Sequence, residues 1–151
     1  MIVNIEPLSD CRVAYMRRTG AYGRENYELM SRLKDWAENN GLLGSNSVIY
    51  GIAHDNFETT PPEKCRYDVC IIVSEEYTLD ESVQEGRISN GLYATFTIDH
   101  TVKAVQEFWN SCHTLIRRKK YQIDPSRPIL ERYKSELIDK GLCEFCVPIT
   151  K

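Results

Sequence analysis

The chain has 151 residues, 42% hydrophobic and 27% charged, with 19 basic against 22 acidic side chains for a net charge of −3. A chain of this size makes one ordinary domain that buries roughly two-thirds of its unfolded surface, so the composition excludes disorder. A weak net negative charge excludes a general polyanion-binding field, and no direct DNA binding is expected.

The opening MIVNIEPLSD has no basic region and no long apolar core, so it is not a signal peptide. No apolar run approaches the ~18 residues of a membrane span. A cytoplasmic location without membrane contact is expected, with Cys11, Cys65, Cys70, Cys112, Cys143 and Cys146 as reduced, mostly buried thiols. The chain begins almost directly with VNIE and the first repeat, so no DNA-reading module is expected ahead of it.

In chain order, VAYMRR reads as a strand followed by the turn TGAYG. Leu29, Met30, Leu33, Trp36 and Ala37 then recur at helical spacing, and Gly41 after two asparagines stops that helix. VIYGIA and VCIIV are two β-branched strands separated by the polar stretch HDNFETTPPEK. LYATFTI alternates with period 2, and Val105, Phe108, Trp109, Cys112, Leu115 and Ile116 form a second helical stripe. Arg117 to Lys120 close that helix, where cations complement the carboxyl end of the dipole. PILERY and CEFCVPI are the last two strands.

The order strand, helix, strand, strand therefore occurs twice. The expected fold is α+β: a single domain over 1–151, made of duplicated strand-helix-strand-strand units (about 1–80 and 81–151) related by a pseudo-two-fold around a central ligand groove. Neither half holds a core unaided, and the seam between them is a natural concave site.

Glu131 breaks the strand pattern, because glutamate is disfavoured inside strands. By alternation Ile129, Glu131 and Tyr133 share one face, which is either solvated or a partly apolar site. Trp36 and Phe108 read as core from their helical spacing. Asp68 reads as a turn cap. Cys143 and Cys146, three apart in a strand, point to opposite faces and cannot converge on one ion. The histidines show no ligand or triad spacing, and phosphate loop and nucleophile elbow are absent, so no metal and no cofactor are expected.

The blocks GIAHDNFETTPPEKCRYDVCIIV, ISNGLYATF and PILERY, in this order and over essentially the whole chain, resemble the GyrI-like family. That family includes the DNA gyrase inhibitory protein and the effector-binding domains of AraC-type multidrug regulators. The resemblance implies that the glutamate of a final Glu-x-Tyr motif faces the groove and meets cationic or polarised ligands. It falls on Glu131, with Tyr133 beside it. Aligning the two units places Tyr50 opposite Glu131 as a second wall, and Tyr93 and Trp109 join the aromatic set.

The chain departs from the family before the second helix, where IDHTVKAV stands in place of a Gly-Pro-Tyr-like turn, and that helix is longer. The implied function is a small-molecule-binding module for apolar, cationic or electrophilic compounds, in sensing, sequestering or drug and toxin resistance. Two alternatives come with the resemblance. One is a hydrolase that opens strained cyclopropane-type genotoxins with Glu131 activating water; the other is a protein-binding inhibitor of DNA gyrase.

Overall fold

The computed structural model describes residues 1–151. Its strands are β1 (Ile2–Leu8), β2 (Cys11–Thr19), β3 (Val48–Ala53), β4 (Arg66–Ile72), β5 (Gln84–Ile88), β6 (Gly91–Asp99), β7 (Gln122–Ile123), β8 (Leu130–Lys134) and β9 (Leu142–Thr150). The helices are α1 (Arg24–Asn39), α2 (Val102–Arg118) and the single turn α3 (Ser135–Ile138). The fold is α+β: all strands pair antiparallel, in the order β1-β6-β9-β8-β3-β4-β2-β5, with β7 beside β9.

Helices form where the 3.6-residue stripe predicts them. The inward face of α1 carries Leu29, Leu33, Trp36 and Ala37, and that of α2 carries Phe108, Cys112 and Ile116. Thr101 caps α2 by accepting from the Ala104 amide at 3.2 Å. Arg117 and Arg118 occupy its last turn. Trp36 is core, its indole N–H donating to Asp80 at 3.0 Å.

Besides the two-residue β7, two strands, β1 and β5, were not anticipated. QEGRI is polar with a central glycine, because β5 lies at one end of the sheet with a mostly exposed surface. Both strands decide the shape of the sheet. β1 and β2 stand six places apart in the strand order, as do β5 and β6. A flat sheet would separate such strands by roughly 29 Å. Yet Ser9-Asp10 alone join the first pair and Ser89-Asn90 the second, a reach of about 11 Å at most. The sheet must therefore roll until its two ends meet.

Rolling gives the sheet an inner and an outer face. The outer face packs two clusters, Ala14, Ile49, Val69 and Ile71 under α1, and Ala94, Phe96, Phe145 and Val147 under α2. The inner face packs Val13, Tyr50, Ile52, Cys70, Tyr93, Leu130 and Cys146 against one another. Cys143 lies in the α2-side cluster and Cys146 in the inner one, on opposite faces of β9.

Asp68 is not a turn cap. It is buried within β4 and accepts from Arg17 through both oxygens, at 2.6 and 2.9 Å, with His54 Nε2 at 2.7 Å from Oδ2. Burial opposes its charge, but the Arg17 and His54 contacts outweigh that and hold its pKa below the ordinary aspartate value. Alternation puts Asp68 on the inner face of β4, which begins at Arg66, three residues earlier than the β-branched run VCIIV marks it in sequence.

Candidate functional site

The central strands of the sheet are β8 and β3, and between α1 and α2 their outer face is left uncovered. A cavity of about 480 Å³ opens there, lined by Met30 and Lys34 of α1, Val105 and Trp109 of α2, and Tyr67, Glu131, Tyr133 and Phe145 of the sheet. Tyr27, Val102 and Trp109 stand exposed at its lining, an apolar rim on both helices.

Glu131 lies half-buried on the sheet floor. Tyr133 Oη donates to its Oε1 at 2.7 Å, and Tyr67 Oη donates to the same oxygen at 3.2 Å. Oε2 has no protein partner, and no ion pair includes this carboxylate. Burial raises its pKa above the ordinary glutamate value; the two tyrosine hydrogen bonds and the nearby His100 pull the other way without cancelling the shift. Burial and the adjacent carboxylate push both phenols far up, so Tyr67 and Tyr133 remain donors. Burial, with the charge of Glu131, also pushes the Cys143 thiol up to about 11, which makes it a poor nucleophile.

Gly51 makes this geometry possible. It pairs directly with Glu131 across β3 and β8. A Cβ at that position would collide with the Tyr67 hydroxyl and come within 3.0 Å of Glu131 Oε1. Gly51→Ala is therefore expected to expel the Tyr67 hydroxyl from the carboxylate and to cost about 1–3 kcal/mol in urea unfolding. Adding Tyr67→Phe removes the atom in the way and should restore part of that loss. An additive double variant would show that the collision is not the cause.

Of the residues singled out from sequence, the structure gathers Glu131, Tyr133 and Trp109 at this cavity. Trp109 is 46% exposed at the rim, edge-on to Phe108 and Phe145 with ring centroids 4.9 and 5.6 Å away. Tyr50 and Tyr93 do not line it. Tyr50 pairs with Arg132, one residue out of step with the expected register, and a one-residue step turns a side chain to the other face. Tyr93 is buried in the inner cluster, its hydroxyl donating to the Ser89 carbonyl at 3.0 Å and its ring under Arg127 at 4.7 Å.

Sequence reading missed Tyr67, Gly51, Lys34 and His100. The lone glycine in VIYGIA was the available signal, since a glycine inside a strand marks close approach by another group.

The model of a GyrI-like small molecule binding domain matches residues 1–150. The chain belongs to the GyrI-like family. It is 43% identical over 150 residues to SPbeta prophage-derived YosT of Bacillus subtilis (strain 168), which carries the name of a transcriptional regulator; the match spans 99% of both chains. Among solved structures, this GyrI-like chain resembles the EcmrR C-terminal domain, with a TM-score of 0.75 at 11% identity over 99% of this chain and 98% of that one. Against EcmrR in its DNA complex it spans 57% of that protein's length. It also resembles SAV2435 bound to tetraphenylphosphonium, with a TM-score of 0.59 at 16% identity over 99% of this chain and 94% of that one. At these identities the likeness to the solved structures is one of fold. No helix of this GyrI-like chain is long and apolar enough to cross a membrane.

Proposed function

We propose that the chain binds apolar cations in the groove between α1 and α2, with Glu131 as the counter-charge, and acts as a sensor or sequestering module for them. The observation that carries this reading is a half-buried carboxylate on an apolar floor with one oxygen unpartnered and no lysine or arginine paired to it. A desolvated charge without a partner is unfavourable. An incoming cation supplies what the fold withholds, and the rings of Tyr133 and Trp109 add cation–π attraction. The likeness to SAV2435, whose ligand is a lipophilic cation, supports the same direction, as does the regulatory name of YosT.

Internal duplication into units of about 1–80 and 81–151, forming one domain, belongs to this proposal, and the register supports it. Leu8 pairs with Gly91; moving each by 80 residues, 8 to 88 and 91 to 11, gives Cys11↔Ile88, also an observed pair. The same step of 80 carries 51 to 131, so Gly51↔Glu131 maps onto itself and would sit on the dyad. Under duplication, then, one copy supplies the carboxylate and the other makes room for it.

The test is a panel of lipophilic cations and neutral molecules of matching shape, read by quenching of Trp109 fluorescence. Cations are expected to bind at least about tenfold tighter than their neutral counterparts. Equal affinities would remove Glu131 from the reading.

A second reading, hydrolysis of strongly activated alkylators, draws on the same free oxygen. Glu131, with its raised pKa, has the placement of a general base toward water in the groove. Including electrophilic alkylators in the panel and following product formation separates turnover from binding.

A further inference from the structure

We propose that the groove selects cations that carry a single N–H, tertiary ammonium groups, over permanently quaternary ones. This rests on the cation-binding reading above and narrows it.

The inference comes from counting donors and acceptors around Glu131. Each phenol has one hydrogen, and both Tyr133 and Tyr67 spend theirs on Oε1, at 2.7 and 3.2 Å. Oε2 is left as an open acceptor. Lys34 lines the same cavity but makes no ion pair with the carboxylate. Met30, Val105, Trp109 and Phe145 supply apolar wall, and the polar side chains that also line the cavity, Asn26, His100, Thr101 and Gln106, make no hydrogen bond to Oε2.

Once a ligand fills the groove and displaces its water, that acceptor is satisfied only by a donor that the ligand brings. A tertiary ammonium brings one N–H for the one open oxygen and presents three carbon substituents to the walls. Nothing polar on it is left unmet. A quaternary ammonium has no hydrogen to donate, so its charge stays about 4.5 Å or more from the oxygen rather than about 2.8 Å. Coulomb attraction falls with that distance, and the acceptor remains unfilled. The quaternary ion is easier to strip of water, which opposes the preference. In a tertiary ion that water loss is confined to a single N–H, and Oε2 replaces the lost bond with a charge-assisted one. Tetraphenylphosphonium, having no such hydrogen, would bind here on charge and ring contacts alone.

Glu131→Gln sharpens the distinction. The amide oxygen takes the two tyrosine hydrogen bonds, which leaves the amide NH₂ where Oε2 stood. A donor then faces a donor, and the preference for N–H disappears.

The experiment uses (1-naphthylmethyl)dimethylamine, protonated at pH 7, its N-methylated trimethylammonium form, and the neutral 1-neopentylnaphthalene, titrated into the full chain. The tertiary ion is expected to bind about ten- to thirtyfold tighter than the quaternary ion. In Glu131→Gln the two ions should come within about twofold of each other. Equal affinities in the wild type, both weakened in the variant, would overturn the N–H selection and leave the cation-binding reading standing. A preference that persists in the variant also overturns it, since selection would not then run through Oε2. If neither ion exceeds the neutral compound, the cation-binding reading fails and this inference fails with it.

Discussion

Glu131→Gln should lower affinity for lipophilic cations roughly 10- to 150-fold, because a charge-assisted contact in a partly dry groove contributes about 1.5–3 kcal/mol. The substitution keeps the shape and retains an oxygen able to accept from Tyr67 and Tyr133. What it removes is the charge. Neutral ligands of the same shape should therefore lose much less, and calorimetric titration of matched cation and neutral pairs gives the comparison.

Stability should move the opposite way, and its pH dependence gives a second check. The folded pKa of Glu131 is raised, chiefly by burial, so the folded chain holds this proton more tightly than the unfolded chain does. Its contribution is fully present at low pH and is lost as pH rises past the ordinary glutamate range toward the folded value. The variant lacks that loss. Its melting temperature should match wild type near pH 4 and exceed it at pH 7. A variant that binds cations as well as wild type, with no stability gain at pH 7, would place the site elsewhere.

The largest stability effect is expected at Arg132, on the face of β8 opposite Glu131. Its guanidinium is buried and donates to both oxygens of Glu144 at 2.9 Å, and to Glu6 at 2.8 Å. Glu6 in turn accepts from Thr95 at 2.8 Å. Burial works against the charge on Arg132, but the Glu144 and Glu6 contacts reverse the balance and raise its pKa. This network ties β1, β6, β8 and β9 together across the sheet.

Arg132→Ala strands the buried Glu144, which keeps only Lys134 at 3.6 Å, and should cost about 3–5 kcal/mol in urea unfolding. Replacing both partners, Arg132→Met with Glu144→Leu, removes the stranded charge and should return most of the loss. An unaltered midpoint for Arg132→Ala would mean that the ion network adds nothing to the fold. A double variant as unstable as the single one would show that the lost hydrogen bonds to Glu6, rather than the buried charge, carry the effect.

Much of the fold was legible in the sequence because local periodicity responds to one-sided burial. Both long helices lie where Leu29, Leu33 and Trp36, and then Phe108, Cys112 and Ile116, recur at 3.6 residues. VIYGIA, LYATFTI and CEFCVPI are strands because β-branched and aromatic side chains fit a pleated surface. Even the shared face of Glu131 and Tyr133 follows from period 2, and both belong to the lining of one cavity.

The rest depended on contacts between residues far apart in the chain. β5 is nearly all polar, so its pairing with β2 left no mark in hydropathy. The register of β3 against β8 decided between Tyr50 and Gly51 as the neighbour of Glu131. Register is a property of two strands together, and alternation within either one is satisfied by both choices. Tyr67 approaches Glu131 from 64 positions away, and no local pattern records such a meeting. Local side-chain chemistry sets which residues seek burial and with what period. The tertiary structure decided which side chains meet, because the rolling of the sheet and the spacing of its helices set where burial is incomplete, and a carboxylate is left there with one oxygen open.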